Sequence, residues 1–151
     1  MDIRIATSAE DYELARELFR EYVLTPGVAV CAVGFEDELR ALETFYDAIL
    51  LAQEGDRAVG CGAVRTIEPG VCEIKRIYVK PEARGLGAGL ALTVALLEQA
   101  GRRPGVRAVR LDTLPSMRAA IGLYESLGFQ RIPAYSAANP ADALCFELTI
   151  A

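Results

Sequence analysis

Residues 71–101 read VCEIKRIYVKPEARGLGAGLALTVALLEQAG. The first nine, Val71–Val79, are rich in apolar and β-branched residues and predict a strand. Lys80-Pro81 ends it, and Arg84-Gly85-Leu86-Gly87-Ala88-Gly89 makes a glycine-rich turn into an apolar helix that runs to about Ala100. Glycines at such a turn let the backbone take positive φ and come close to a ligand. The helix start behind them offers N–H groups with no intrahelical acceptor and the positive end of a dipole. A phosphate group suits that arrangement, with Arg84 and Lys80 adding formal charge beside it. The bland alternative is a tight turn that packs helix against sheet.

Working upstream, Ala48–Gln53 and Ala58–Ile67 read as two more strands, turned at Glu54-Gly55-Asp56-Arg57 and at Glu68-Pro69-Gly70. With Val71–Val79 they form an antiparallel meander. Earlier still come a short strand at residues 2–6 and a helix capped by Ser8 or Thr7, with Asp11 in its first turn. Leu14, Leu18, Phe19 and Tyr22 share one face of that helix, which breaks at Pro26-Gly27. A second helix is predicted from about Glu36 to Tyr46, with Leu39, Leu42 and Phe45 as its apolar stripe. Downstream, Val106–Thr113 is a strand, residues 116–127 are an amphipathic helix stopped by Gly128, and Phe129–Ile132 and Leu144–Ile150 close the chain as strands. This order predicts an α/β (α+β mixed) fold in one domain over residues 1–151: a mixed sheet of about seven strands flanked by about four helices.

The 151 residues are 52% hydrophobic and 25% charged, which excludes a disordered chain. There is no histidine. That removes a Ser-His-Asp triad, a Cys-His dyad, an HExxH zinc site and a His-ligated haem, so acid–base chemistry falls to Glu, Asp, Tyr, Cys, Lys, water or backbone. Cys31, Cys61, Cys72 and Cys145 form no CxxC pair, and no metal site is expected. The start carries no signal-peptide pattern and no apolar run reaches 18 residues, so no membrane association is expected and a cytoplasmic location is. The net charge of −5 hides an asymmetry: Lys75 to Arg110 holds eight basic residues and two acids. A basic centre in an acidic chain points to a local anionic ligand and away from nucleic acid. A solvated basic surface is the alternative.

The type of phosphate ligand narrows further. A Walker A loop needs a GK pair, and the chain has none. A dinucleotide fold is the rival, because Asp112 ends the next strand where a ribose-binding acid would sit. Against it, position 92 is Leu92 where GxGxxG needs glycine, and only about 60 residues follow the turn.

The segment VCEIKRIYVKPEARGLGAGLALTVALLEQA, followed by AAIGLYESLGFQRI, resembles the GCN5-related N-acetyltransferase (GNAT) family. The family signature Q/R-x-x-G-x-G/A is matched by Arg84, Gly87 and Gly89. The resemblance is strong over about residues 47–132 and elsewhere extends to element order. It implies a mostly antiparallel sheet and acetyl-CoA as co-substrate. The backbone amides of Gly85, Leu86, Gly87, Ala88, Gly89 and Leu90 would hold the pyrophosphate, with Arg84 adding charge. The pantetheine arm would pair like an added strand with Ile77, Tyr78 and Val79. That requires the sheet to splay between this strand and Val106–Thr113, for which a bulge near Lys75-Arg76 would serve.

The implied reaction is direct transfer of acetyl from a thioester to a primary amine. A backbone N–H near Ile77 or Val79 would stabilise the carbonyl oxygen. Tyr124 matches the family tyrosine that faces the sulfur, and would act as general acid on the leaving thiolate; packing in the core is the alternative. Glu73 is the candidate base, a mid-strand carboxylate whose alternative is an ion pair with Lys75 on the same face. The family's asparagine seven residues before the tyrosine is replaced by Met117, which leaves Ser116 as a substitute contact. The acceptor, a small-molecule or peptide amine, would sit among Tyr22–Tyr46 and Pro133–Leu144. Residues 2–56 carry thirteen acids against four basic residues, which would steer a cationic small molecule there, or simply be a solvated face. Family members are often dimers, so a homodimer is an open expectation. A non-catalytic acetyl-CoA-binding regulatory domain is the alternative function.

Overall fold

A computed structural model of the chain describes residues 1–28 and 34–150. The strands are β1 (Asp2–Ile5), β2 (Ala48–Glu54), β3 (Arg57–Glu68), β4 (Val71–Val79), β5 (Ala108–Thr113), β6 (Gln130–Ile132) and β7 (Leu144–Thr149). The helices are α1 (Ala9–Val23), α2 (Phe35–Arg40), α3 (Leu42–Phe45), α4 (Ala88–Gly101) and α5 (Arg118–Ser126). The strands form one sheet in the order β1-β2-β3-β4-β5-β7-β6. Every neighbouring pair is antiparallel except β4 with β5, which is parallel.

Alternation along the strands sorts the core into two layers. One face carries Val64, Cys72, Ile74, Val109 and Leu111 against Leu92 and Leu96 of α4 and Tyr124 of α5. The other carries Ile49, Leu51, Cys61, Ala63 and Tyr78 against Leu18 and Phe19 of α1 and Leu39 and Leu42 of α2 and α3. Gly62 permits the close seating of α4: a Cβ there would stand 2.7 Å from the Leu96 Cδ1. α1 starts in a capping box in which Ser8 accepts from the Asp11 N–H and Asp11 accepts from that of Ser8.

The helix predicted over residues 36–46 is two short pieces. Ala41 leaves helical geometry at φ −110° and ψ 25°, and the chain restarts at Leu42. The break turns Phe45 outward, 37% exposed, and buries Tyr46 in the place the stripe assigned to it. Cys61, Cys72 and Cys145 are buried free thiols, whereas Cys31 lies outside the described residues. Among the described residues no helix is long and apolar enough to cross a membrane.

Candidate active site

The parallel pairing of β4 with β5 is short. It joins Val71, Cys72 and Glu73 to Ala108, Val109 and Arg110, then stops. From Ile74 onward the two strands part. The cause lies on the other side of β4, where the register with β3 slips between Cys61↔Tyr78 and Ala63↔Lys75 and leaves an extra residue in β4. Arg76 sits in that bulge at φ 61°, the one non-glycine with positive φ among the described residues. Such a conformation costs about 1–3 kcal/mol and persists only where the surroundings enforce it. Here Arg76, 5% exposed, donates from Nε to Glu38 Oε2 at 3.0 Å and from Nη2 to Glu38 Oε1 at 2.8 Å. Tyr46 donates its hydroxyl to the same Oε2 at 2.8 Å, and the guanidinium lies over the Phe35 ring. The bulge that opens the sheet is thus locked to α2.

The opening is a cavity of about 650 Å³ running from the glycine turn to the far side of the sheet. The turn forms one end. Gly85 and Gly87 hold φ +82° and +83°, and a Cβ on either would meet nothing within 4 Å. Gly87 caps α4 with no side-chain hydrogen bond, and the first turn of α4 has no acidic residue, so its leading N–H groups face outward beside a positive dipole end. Arg84 folds back to donate from Nε to the Val79 carbonyl at 3.0 Å. Lys80 does not join the turn: its ammonium pairs with Glu21 of α1 at 2.8 Å.

Tyr124 is on the cavity wall and 6% exposed, with its ring edge-on to Phe129 and tilted on Phe146. Its hydroxyl has no hydrogen-bond partner among the described residues. Burial holds its phenol well above the ordinary tyrosine range, with Tyr22 and Asp112 adding to the effect, so it is fully protonated at neutral pH. Across the cavity from it, Ile77, Tyr78 and Val79 present the unpaired edge of β4.

Glu73 is placed differently from the expectation. It is 3% exposed and off the cavity wall. Its carboxylate accepts from the Tyr135 hydroxyl at 2.6 Å and from Arg65 Nε at 3.3 Å, across the β3–β4 pair. The pairing with Lys75 does not form; Arg65 takes that role. Tyr135 belongs to the segment between β6 and β7, whose Asn139 donates from Nδ2 to Asp112 at 2.7 Å. Burial and the Glu73 charge push the Tyr135 phenol far up.

The family model of the Acetyltransferase (GNAT) family matches residues 12–129. The chain belongs to that family. An uncharacterised N-acetyltransferase of Schizosaccharomyces pombe is 32% identical over 139 residues, 88% of this chain and 83% of its own. A structure from Klebsiella pneumoniae assigned as an acyl-CoA N-acyltransferase is 28% identical with a TM-score of 0.70, covering 98% of this chain and 96% of that one. A Salmonella typhimurium structure holding acetyl-CoA as its cofactor shares the fold at 20% identity and a TM-score of 0.72, over 99% of this chain and 93% of that one.

Within this acetyltransferase the cavity gathers most of the residues singled out in the sequence. Ile77, Tyr78, Val79, Arg84, Gly85, Gly87, Ala88, Gly89 and Tyr124 all line it, as do Ser116 and Met117. Leu86 and Leu90 do not; they are 62% and 47% exposed, which leaves only their backbone for a ligand. Met117, in the asparagine's place, turns its sulfur to the Thr113 hydroxyl at 3.3 Å. Among the wall residues not singled out in the sequence as site residues are Lys75, Arg76, Arg118 and, outside the dinucleotide reading, Asp112. Strand alternation from Glu73 and Arg110 was the available signal for Lys75 and Asp112. Of the acids of residues 2–56, Glu21, Glu38 and Asp47 pair with cations from outside that stretch, Lys80, Arg76 and Arg103, whereas Asp11, Glu13, Asp37 and Glu43 pair with arginines inside it.

Proposed function

We propose that residues 1–151 act as one N-acetyltransferase domain that binds acetyl-CoA along the open edge of β4 and passes the acetyl group to a primary amine of a small molecule or peptide. The observation that carries this is the coincidence of three features on one cavity: an unpaired strand edge at Ile77–Val79, a glycine turn with free N–H groups, and a protonated phenol. The residues fit the co-substrate. Two α-left-handed glycines with open space at their Cβ positions make a cradle, and the extended β4 edge offers amide partners to a chain of amides. When bound, acetyl-CoA supplies an activated acetyl thioester.

The chain's own groups supply the rest. A β4 backbone N–H near Ile77 meets the charge that develops on the acetyl oxygen. Tyr124 gives its proton to the departing sulfur; the burial that raises its phenol raises the thiolate beside it as well, which keeps the transfer matched. Overall the nitrogen–carbon bond forms and the carbon–sulfur bond breaks; an ammonium acceptor loses two protons, one to solvent before attack and one that restores Tyr124, whose own proton ends on the thiol. Glu73, engaged by Arg65 and Tyr135, is read as a positioning residue that anchors the β6–β7 segment, in place of the base expected from the sequence. The free buried thiols support a reducing, cytoplasmic setting. Thiol release from acetyl-CoA in the presence of an amine panel tests the reading. Steady release that depends on an amine supports it; binding of acetyl-CoA with no release under any amine favours a regulatory domain instead.

A further inference from the structure

Resting on that acetyl-transfer reading, we propose that the acceptor is an α-amino acid, its carboxylate held by Lys75 and its amino group by Asp112. The register carries the argument. Glu73 and Arg110 are the last paired residues of β4 and β5. Two residues further along each strand, on the same face, stand Lys75 and Asp112. In an unbroken pair, opposite charges so placed face each other about 5 Å apart and form an ion pair. Here the strands have separated, and both side chains line the cavity instead.

Lys75 is half-buried and has no ion pair or hydrogen bond among the described residues. The nearest carboxylate along its strand, Glu73, is already held by Arg65 and Tyr135. The other cations of the wall are accounted for: Arg76 is bound to Glu38, Arg84 donates to the Val79 carbonyl, and Arg118 lies exposed at the start of α5. Asp112 has one oxygen, Oδ2, fixed by Asn139 Nδ2 at 2.7 Å. Asn139 in turn accepts the Tyr135 and Ser136 N–H groups at 3.0 Å, so the carboxylate is aimed and its Oδ1 left open. A half-buried ammonium and an aimed carboxylate that face one cavity without forming an ion pair call for a ligand carrying both complements.

An α-amino acid is that ligand: standard bond lengths put its nitrogen and carboxylate oxygens about 3 Å apart. The position agrees with the chemistry, because a strand rise of about 3.3 Å per residue puts Lys75 about 7 Å before the Ile77 edge where the acetyl group would lie. A simple alkylamine leaves Lys75 without a partner, and a peptide N-terminus carries an amide where the carboxylate should be. Leu114 and Ala143 on the same wall favour an uncharged side chain.

The test compares initial rates of thiol release with the L-amino acids, their α-amides and the corresponding decarboxylated amines. At least one amino acid should exceed both of its analogues about tenfold in kcat/KM, equivalent to about 1.4 kcal/mol. Lys75→Gln should erase that preference and Lys75→Arg should keep it, with thermal melts showing both variants folded. Amides or decarboxylated amines used as well as the acids, no transfer to any of the three sets, or a preference that survives Lys75→Gln would each overturn the proposal. Calorimetric titration of the wild type with acetyl-CoA separates the two levels. No binding sinks the acetyl-transfer reading and this inference with it, whereas binding with indifferent amine use sinks this inference alone.

Discussion

Arg76 and Glu38 form a two-point ion pair between the bulge in β4 and helix α2, at 3.0 and 2.8 Å, with both side chains about 95% removed from solvent. The pair does two things at once: it holds a strained φ of 61° and it ties the opening of the sheet to the helix beside it. Removing one member leaves the other charged and buried, which typically costs about 3–5 kcal/mol. Glu38→Ala is therefore expected to lower the urea-unfolding free energy by that order. Arg76→Gly with Glu38→Gln relieves both the φ and the orphaned charge and should recover part of it. Equal stability of Glu38→Ala and wild type would show that the pair does not hold the bulge.

Tyr124→Phe deletes the hydroxyl and keeps the ring contacts with Phe129 and Phe146. Loss of a general acid is worth about 10²–10⁴ in rate. The expected result is a fall in kcat within that range, with the acetyl-CoA KM changed little. Matched kcat values in steady-state assays of both proteins would assign Tyr124 to the core.

Gly87→Ala puts a Cβ into open space but at φ +83°. The cost is in the backbone alone, about 1–2 kcal/mol. The turn should relax away from the left-handed conformation and the acetyl-CoA Kd should rise several-fold, read by calorimetry. An unchanged Kd would remove the turn from the binding site.

Glu73→Gln should raise the acceptor KM by weakening the charge-assisted hydrogen bond from Tyr135 and the ion pair with Arg65, and the acid limb of the rate–pH profile should stay where it is. Tyr135→Phe should reproduce the KM effect, and the double variant should be no worse than either single one. A shifted acid limb in Glu73→Gln would restore it as the base.

Asp11 is held down to about 2 from an ordinary 3.8 by the Thr7 N–H and the Arg4 guanidinium. A depressed carboxyl contributes stability that is fully present above its unfolded value and is lost as pH falls through the folded one. The stability gap between wild type and Asp11→Asn should thus be constant above about pH 5 and close between roughly pH 4 and 2. Urea midpoints at pH 6, 4 and 2.5 read this directly, and a gap independent of pH would contradict it.

Much of the fold was legible because local and tertiary preferences agree. The β2–β3–β4 meander, the glycine turn and α4 lie within a residue or two of where periodicity and turn chemistry put them. The misreadings share a cause. Phe45 and Tyr46 are equally apolar in pattern, and only the break at Ala41 and the reach of the Tyr46 hydroxyl to Glu38 decide which is buried. Lys80 reads as a charge beside the glycine turn until α1 brings Glu21 beside it, and the alternative pairing of Glu73 with Lys75 gives way to Arg65 and to Tyr135, 62 residues on. Lys75 and Asp112 come to the wall of one cavity only because β4 and β5 pair in parallel up to Glu73 and Arg110 and then part, which no local pattern encodes.

Calorimetric titration of the wild-type chain with acetyl-CoA, with NADPH as control, bears most directly on the central claim. The account predicts saturable one-to-one binding of acetyl-CoA, weakened by Gly87→Ala, and no heat from NADPH. Binding of NADPH without acetyl-CoA would contradict it and return the glycine turn and Asp112 to a dinucleotide.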